Sequence, residues 1–459
     1  MRTPLVCIAI EVKGREISPL LFLSANFIKA GFPVLIGHRA RIWRFFRKDA
    51  ADIPICYIAK EMANLSEYAR PAMNIYSLDE EGGAKFSTSG NCRLAPVKVQ
   101  DKLRKIFCWG EAYRDFMVAN GGDPDKIVAS GHPKFDLQEV ETFRQTKAEE
   151  QLCFPEKFIL INSNWASAHY VAGAEALREL HISLKMGLER LERATVKDNH
   201  TLQRMIPLIK KLTAAFPDHT IVIRPHPVED EKHYASYFTA KNILVSKQGN
   251  SYSWIKRAVA VIHNDCTTGI EAFTMGKPVI SYTGPETNMD SMAVQISQAT
   301  DDADEVIALV RNAIANNGRS NLLPEEREER MAKLRKLLAN IDGQSASDTI
   351  VSTVLQDYTM EELPAYTLPK PKSWVYRTAK KGKRIIRNIK LRLSHDAKKN
   401  FLKRTLRGKF PGLALSEVLE RLERFQVCPP SSGECTVVEY DIDTFLLTPG
   451  PAWKPPQEH

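Results

Sequence analysis

The sequence predicts an α/β protein made of two parallel-sheet units in tandem, on three observations. Short apolar runs alternate with longer amphipathic ones through the first 350 residues. That alternation stops at a charged stretch around Glu139–Gln151 and then restarts. The chain has 459 residues, 43% hydrophobic and 26% charged, enough for two or three ordinary cores.

In chain order, Leu5–Ile10 is apolar for only six residues before Glu11 and Lys13, too short for a secretory signal and suited to a buried first strand. Pro33–Ile36, Asn74–Leu78, Lys105–Cys108 and Lys126–Ala129 read as the next strands, with helices at Pro19–Ala30 and Glu111–Asn120. After the break, Phe158–Ile161, Thr220–Ile223, Ile243–Val245, Ala258–Ile262 and Pro278–Ser281 have the apolar, β-branched character of strands covered on both faces. Helices are expected at Ala174–Ala194, His200–Ala215, Thr268–Met275, Ala303–Asn316 and Pro324–Asn340. Strands separated by helices make a parallel sheet. The expectation is therefore two Rossmann-like lobes, residues 1–150 and 151–350, with a cleft between them and a tail from 351 to 459.

Composition narrows the class further. Eight cysteines are scattered with no C-x-x-C pair, so neither a zinc site nor a disulfide framework is expected, and a reducing cytoplasm suits them. No apolar run reaches the length needed to span a bilayer. The net charge of +9 is unevenly placed. Residues Lys370–Lys409 hold sixteen Lys and Arg against one acid, or +15, which leaves −6 for the other 419 residues. Within that segment Ile385, Ile386, Ile389 and Leu393 follow helical spacing, giving one apolar stripe in a cationic surround. Such a helix suits an anionic membrane surface. Nucleic acid is not expected, because the two lobes are acidic and no basic-aromatic RNA motif is present. Leu413–Phe425 reads as another helix, and Pro449–His459 as a loose end.

Ligands of open α/β sheets bind beyond the carboxyl ends of the strands, so the polar residues directly after each strand carry the functional information. Asp79, Glu80 and Glu81 follow a strand and precede Gly82 and Gly83, which places a carboxylate where it can act as general base or nucleophile. Arg224-Pro225-His226-Pro227 follows Ile221-Val222-Ile223. Arginine offers a fork for phosphate or carboxylate, histidine a donor and a proton near neutral pH, and the prolines stiffen the loop. Cys266-Thr267-Thr268-Gly269 leads from a strand into a helix, where hydroxyls and unpaired N–H groups suit a phosphate, and Glu271 lies one turn inside to accept from ribose or base. Two looser candidates are Ser130–Asp136 and Ile161–His169, containing Asp136, Asn164 and His169, each also readable as ordinary loop polarity. Asp441-Ile442-Asp443 imitates a metal-binding pair but lies in the tail, and is set aside as coincidence. No metal site and no G-x-G-x-x-G or Walker motif is found.

Taken together, LDEEGG (78–83), FCWGE (107–111), SGHPKFD (130–136), INSNWASAH (161–169), RPHP (224–227) and NDCTTGIEAFTMGKPVISY (264–282) resemble the bacterial surface carbohydrate biosynthesis proteins over roughly residues 1 to 345. More distantly, the acid-acid-glycine and His-Pro motifs are similar to GT-B transferases that use CMP-sugars, the bacterial sialyltransferases and β-Kdo transferases. The resemblance implies a GT-B-like fold with an acceptor lobe first and a nucleotide-sugar lobe second. It implies Glu81 or Glu80 in the acid role, His226 against the CMP phosphate, Thr267 and Thr268 on the same phosphate, and Asp136, with His169, as a candidate covalent nucleophile. The implied activity is metal-independent transfer of a 2-keto sugar acid from a CMP-sugar to a glycan or lipid-linked glycan, in capsule or lipopolysaccharide synthesis, with no other cofactor. Departure of a nucleoside monophosphate needs its phosphate charge stabilised, and Arg224, His226 and the Thr267 turn supply donors for that. The expected location is cytoplasmic, peripheral on the inner face of the membrane. The alternatives are CDP-glycerol-type phosphotransfer, UDP-sugar epimerisation, or a non-catalytic assembly scaffold.

Overall fold

The computed structural model describes residues 3–60, 73–80, 94–139, 152–170, 173–183, 187–359, 363–393 and 410–452. It divides into two compact units, residues 1–146 with 335–394 and 408–459, and residues 147–334 with 395–407. Each is an α/β sandwich around a mainly or wholly parallel sheet, the fold class expected.

The first unit begins β1 (Leu5–Ile10), α1 (Lys13–Lys29), β2 (Val34–His38), α2 (Arg39–Lys48), β3 (Ile55–Ala59) and β4 (Met73–Leu78). It continues with α3 (Ala95–Lys98), β5 (Lys105–Cys108), α4 (Glu111–Ala119), β6 (Ile127–Ala129) and α5 (Pro133–Glu139). Strands β2, β1, β3, β4, β5 and β6 lie side by side and parallel. The chain leaves β1 on one side for β2 and returns on the other for β3, so the loops after β1 and β3 diverge at a switch point. β1 is buried along its whole length, and α1 covers one face of the sheet with Leu20, Leu21, Leu23, Phe27 and Ile28. Strand β3 has no counterpart among the strands expected from the sequence.

The second unit holds β7 (Phe158–Asn162), α6 (Gly173–Ser183), α7 (Leu188–Ala215), β8 (Thr220–Arg224), β9 (Ile243–Val245), α8 (Ser251–Arg257), β10 (Ala260–His263) and α9 (Thr268–Thr274). After these come β11 (Val279–Tyr282), α10 (Met292–Gln295), β12 (Gln298–Thr300), α11 (Ala303–Ala315) and α12 (Pro324–Leu337), whose last residues, from Arg335, already belong to the first unit. The strand order β12-β11-β10-β7-β8-β9 is parallel throughout. Its switch point lies between β7 and β10. One 28-residue helix, α7, occupies most of the span read as two helices, and buries Leu202, Met205, Leu208, Ile209 and Leu212 at i, i+3, i+4 spacing.

The described residues 351–359, 363–393 and 410–452 do not form a separate tail but belong to the first unit. Helix α13 (Ala346–Thr359) puts Ile350, Val351, Val354 and Tyr358 into the core of the first unit, and Tyr358 accepts from Asn74 of β4 at 2.9 Å. Helix α14 (Trp374–Leu393) follows, and α15 (Leu415–Phe425) packs Phe425 edge-on to Phe22 of α1 at 5.4 Å. The hairpin β13 (Cys435–Asp441) and β14 (Thr444–Pro449) then joins the sheet, β14 antiparallel to β2. A side chain at Gly37 would sit 2.4 Å from the Asp443 carbonyl, so the docking requires glycine there. Asp443 turns the hairpin at φ 58° and accepts from Leu413 N–H, while Asp441 pairs with Lys380. The pair that imitates a metal motif is hence a turn. Leu413–Phe425 is helical as expected from Leu415 onward; of the end expected to be loose, Pro449 closes β14 and the Gly450 and Ala452 N–H groups donate to Glu434 and Gly433, while residues 453–459 lie outside those described. Among the described residues no helix is long and apolar enough to cross a membrane, and none of the cysteines is in a disulfide.

Candidate functional site

At the carboxyl edge of the first sheet, β4 delivers Asp79 and Glu80. The Asp79 carbonyl accepts from the Trp109 indole at 2.9 Å and its N–H donates to Phe107, which holds the strand end against β5. Glu80 is buried and faces His132, also buried, at 3.5 Å. Lys134 N–H lies 3.1 Å from His132 Nδ1, and Nε2 is the ring nitrogen that faces the carboxylate. Burial pushes the Glu80 carboxyl up, but His132, and behind it Lys60 and Arg15, bring it down to about 2. It is an anion throughout the physiological range, and weakly basic. Glu81 lies outside the described residues.

Asp136 is also buried. Its carboxylate accepts from Ala346 N–H (2.8 Å), Ser347 N–H (2.8 Å) and Ser347 Oγ (2.6 Å), so it caps the start of α13 from a distant part of the chain. Burial raises its pKa in spite of those donors. At the switch point of this sheet, Glu16 is buried with Lys60 at 3.0 Å, Arg15 at 3.2 Å and the N–H groups of Glu11 and Val12 on its oxygens. Sequence reasoning passed over Glu16, Lys60 and His132. Their signal was position: Glu11–Glu16 and Lys60 directly follow strands, and His132 stands inside the quoted SGHPKFD run.

In the second unit, β8 ends in the RPHP loop. His226 N–H donates to Ser163 Oγ at 2.8 Å, and Ser163 donates on to Glu229 at 2.7 Å. Tyr234 donates to the same carboxylate oxygen at 2.5 Å. Glu229 is fully buried, and burial drives its pKa to about 7 against the pull of the two hydroxyls. Val228 N–H approaches the His226 Nδ1 at 3.4 Å, which puts the ring proton on Nε2. Arg224 donates to the carbonyls of Gln248 (2.7 Å) and Gly249 (3.1 Å) and lies over Trp254, with burial lowering its pKa to about 10. Pro227 holds the next position of the loop, its carbonyl 3.4 Å from Lys247 Nζ.

Across the switch point, Asn164 after β7 donates to the Asp265 carbonyl after β10 at 2.6 Å. Asp265 adopts φ 149°, a strained value for a side-chain-bearing residue, and its carboxylate accepts from Ser291 at 2.5 Å with Lys197 at 3.9 Å. Thr267 occupies the N-cap position of α9 without a side-chain capping bond, and the Thr268 hydroxyl contacts Cys266 Sγ at 3.1 Å. Gly269 rests on His263, where a Cβ would lie 2.4 Å from Nε2. That ring is buried, bonded to Ser297 at 2.9 Å, and held neutral by burial, its pKa near 4. Glu271 is buried and accepts from Ser251 at 3.1 Å. His169 is buried among Tyr234, Tyr237 and His233, which lowers its pKa to about 4. It stands in the second unit and Asp136 in the first, each in its own hydrogen-bonded surroundings. A depression of about 360 Å³ lined by Phe216, His219 and Arg311 lies at the opposite edge of this sheet, away from these groups.

No family model matches the chain, and no curated protein does. Among solved structures, it is similar to a putative UDP-N-acetylglucosamine 2-epimerase from Listeria monocytogenes, at 13% identity over 80% of this chain and 100% of that one, TM-score 0.47. It is also similar to the wall teichoic acid polymerase TagF, at 10% identity over 77% of this chain and 89% of that one, TM-score 0.49. A third is the UDP-GlcNAc 2-epimerase from Neisseria meningitidis bound to UDP-GlcNAc, at 14% identity over 77% and 99%, TM-score 0.44. Neither identities nor scores of that size carry a residue's role from one chain to another.

Proposed function

We propose that the protein is a glycosyltransferase of bacterial surface polysaccharide assembly that takes a nucleotide-activated sugar in its second unit. The observation that carries this reading is the way His226 is held. A buried chain from Tyr234 and Glu229 through Ser163 to the His226 main chain fixes the loop at the carboxyl edge of β8, with the ring proton on Nε2. A fixed donor at a strand's carboxyl edge suits the phosphate of a leaving nucleotide, whose negative charge grows as the glycosidic bond breaks. The Thr267 and Thr268 hydroxyls, on the adjacent side of the switch point, are assigned to the same phosphate, and Asn164 to orienting the Asp265 turn beside it. Arg224 acts by holding the 246–249 loop.

The donor is assigned as a CMP-linked 2-keto sugar acid and the acceptor as a glycan or lipid-linked glycan, with the enzyme on the inner face of the cytoplasmic membrane. Of the three consecutive acids, Glu81 is assigned as the base for the acceptor hydroxyl. Glu80 faces His132 at 3.5 Å, which holds its carboxyl below the usual carboxylate range, whereas efficient general bases titrate near the working pH. Asp136 is assigned to positioning through its cap on α13.

Thermal shift with CMP, UMP, UDP, CDP and GDP tests the donor. A ligand at 100 times its Kd raises stability by about 2.7 kcal/mol, a plain upward shift in midpoint. CMP is expected to give it, and His226→Ala to abolish it. Stabilisation by UDP with none by CMP overturns the CMP assignment. No response to any nucleotide overturns the transferase reading.

A further inference from the structure

The exposed apolar side chains of the first unit are concentrated on α14, and they stand on the side that the ion pairs leave outward. Arg377 and Lys381 pair with Glu439 of β13 at 3.4 and 2.9 Å, and Lys380 with Asp441 at 2.5 Å. Just before the helix, Lys372 pairs with Asp49 at 2.7 Å. The helix is therefore bound to the protein by its cationic side. Trp374, Val375, Ile385 and Ile386 are 71, 70, 59 and 56% exposed. At 3.6 residues per turn these four fall within an arc of about 120°, with Thr378 and Gly382 between them. An amphipathic helix ordinarily turns such a stripe toward its own core. This one does the reverse.

A second basic element lies beside it, brought there from far along the chain. Helix α2, RARIWRFFRK, carries five Lys and Arg and no acid. It buries Ile42, Phe45 and Phe46, leaves Arg47 and Lys48 exposed, and touches α14 through Arg44 and the Tyr376 hydroxyl at 3.2 Å. Residues 370–393 add ten Lys and Arg, again with no acid.

We infer that α14 and α2 together form a docking surface for an anionic lipid bilayer, with the Trp374–Ile386 face entering the headgroup region and the α2 cations lying over the lipid phosphates. Two features favour this occupant. The apolar residues flanked by cations match the interfacial pattern, in which buried apolar area and attraction to anionic lipid add. Nucleic acid binding draws on phosphate neutralisation and would gain nothing from an exposed Val375, Ile385 and Ile386. The inference is independent of the donor site, since every residue used lies in the first unit.

Co-sedimentation of the full chain with phosphatidylcholine vesicles, with and without 30 mol% phosphatidylglycerol, tests it. Three chains are compared: wild type, the Trp374→Ser/Ile385→Ser/Ile386→Ser variant and the Arg47→Gln/Lys48→Gln variant. The changed side chains are exposed, and circular dichroism checks the fold of each. Wild type is expected to bind only the anionic vesicles and to release as salt rises. Both variants should bind at least tenfold more weakly, the first through lost apolar contact, the second through lost charge on an element outside the C-terminal segment. Full binding by the serine variant overturns the apolar role, and full binding by the glutamine variant overturns the composite surface. A folded wild type that ignores anionic vesicles and binds a mixed-sequence oligonucleotide marks the surface as one for nucleic acid and sinks the inference.

Discussion

The buried carboxyl of Glu229 makes a pH-dependent stability that can be worked through and refuted. In the folded chain burial holds its pKa near 7, against an ordinary value of 4.5. Between those two values the unfolded chain gives up this proton while the folded chain keeps it. The unfolded state is then favoured increasingly as pH rises through the window, and the whole cost is present above 7. At about 1.4 kcal/mol for each pH unit, the span comes to roughly 3 kcal/mol. Glu229→Gln removes the titration and keeps an acceptor for Ser163 and Tyr234. Urea unfolding, followed by the fluorescence of the buried Trp165 and Trp254, would be run for both chains at pH 5, 6, 7 and 8. The stability of the variant relative to wild type should climb by roughly 2.5 kcal/mol between pH 5 and pH 8, with most of the change before pH 7. Parallel pH profiles for the two chains would show that Glu229 ionises without penalty, and the account of its burial would fail.

Three further outcomes are expected. Glu81→Gln should cut turnover by roughly 10² to 10⁴, the range for a lost general base, and leave the CMP-induced thermal shift in place. If Glu80→Gln does so while Glu81→Gln stays fully active, the roles are exchanged. Gly269→Ala should destabilise the second unit by about 1–3 kcal/mol, because the buried His263 ring has no room to yield, and a melting curve superimposed on wild type would show otherwise. Asp136→Asn should lower stability by about 1 kcal/mol through the weakened cap on α13, while the folded enzyme still turns over. A loss of turnover beyond 10³ at unchanged melting temperature would make Asp136 the nucleophile after all.

The strands that carry the candidate residues were legible because burial on both faces leaves a continuous apolar run, as in Phe158–Ile161 and Ile221–Ile223. Strand β3 escaped because Ile55–Ala59 is short and follows Pro54 closely. The hairpin β13–β14 escaped for a different reason. Its pairing partner β2 lies some 400 residues earlier, and no local pattern reports a partner that remote. The boundary at 350 followed the end of the strand–helix alternation, whereas the chain returns to the first unit at Arg335. For the candidate site, position after a strand put His226, Glu80 and Asn164 at the carboxyl edges of their sheets. It could not give side-chain direction: Arg224 turns back onto the carbonyls at 248 and 249, and Asp136 onto α13. Those outcomes depend on which neighbouring main-chain groups need a partner, and that is decided by tertiary structure.

The seating of β14 against β2 has a consequence for synthesis. Ribosomes add about 5–20 residues per second, so the roughly 400 residues between the two strands take about 20–80 seconds to make. Through that interval β2 has a bare edge, with those N–H and C=O groups of Val34–Gly37 that point away from β1 open to any extended segment that drifts past. The residues of the second unit from Lys147 to Leu334 emerge inside the same interval as one continuous stretch, and can fold before their predecessor is finished. Vectorial synthesis thus inverts the chain order: the domain that starts first closes last.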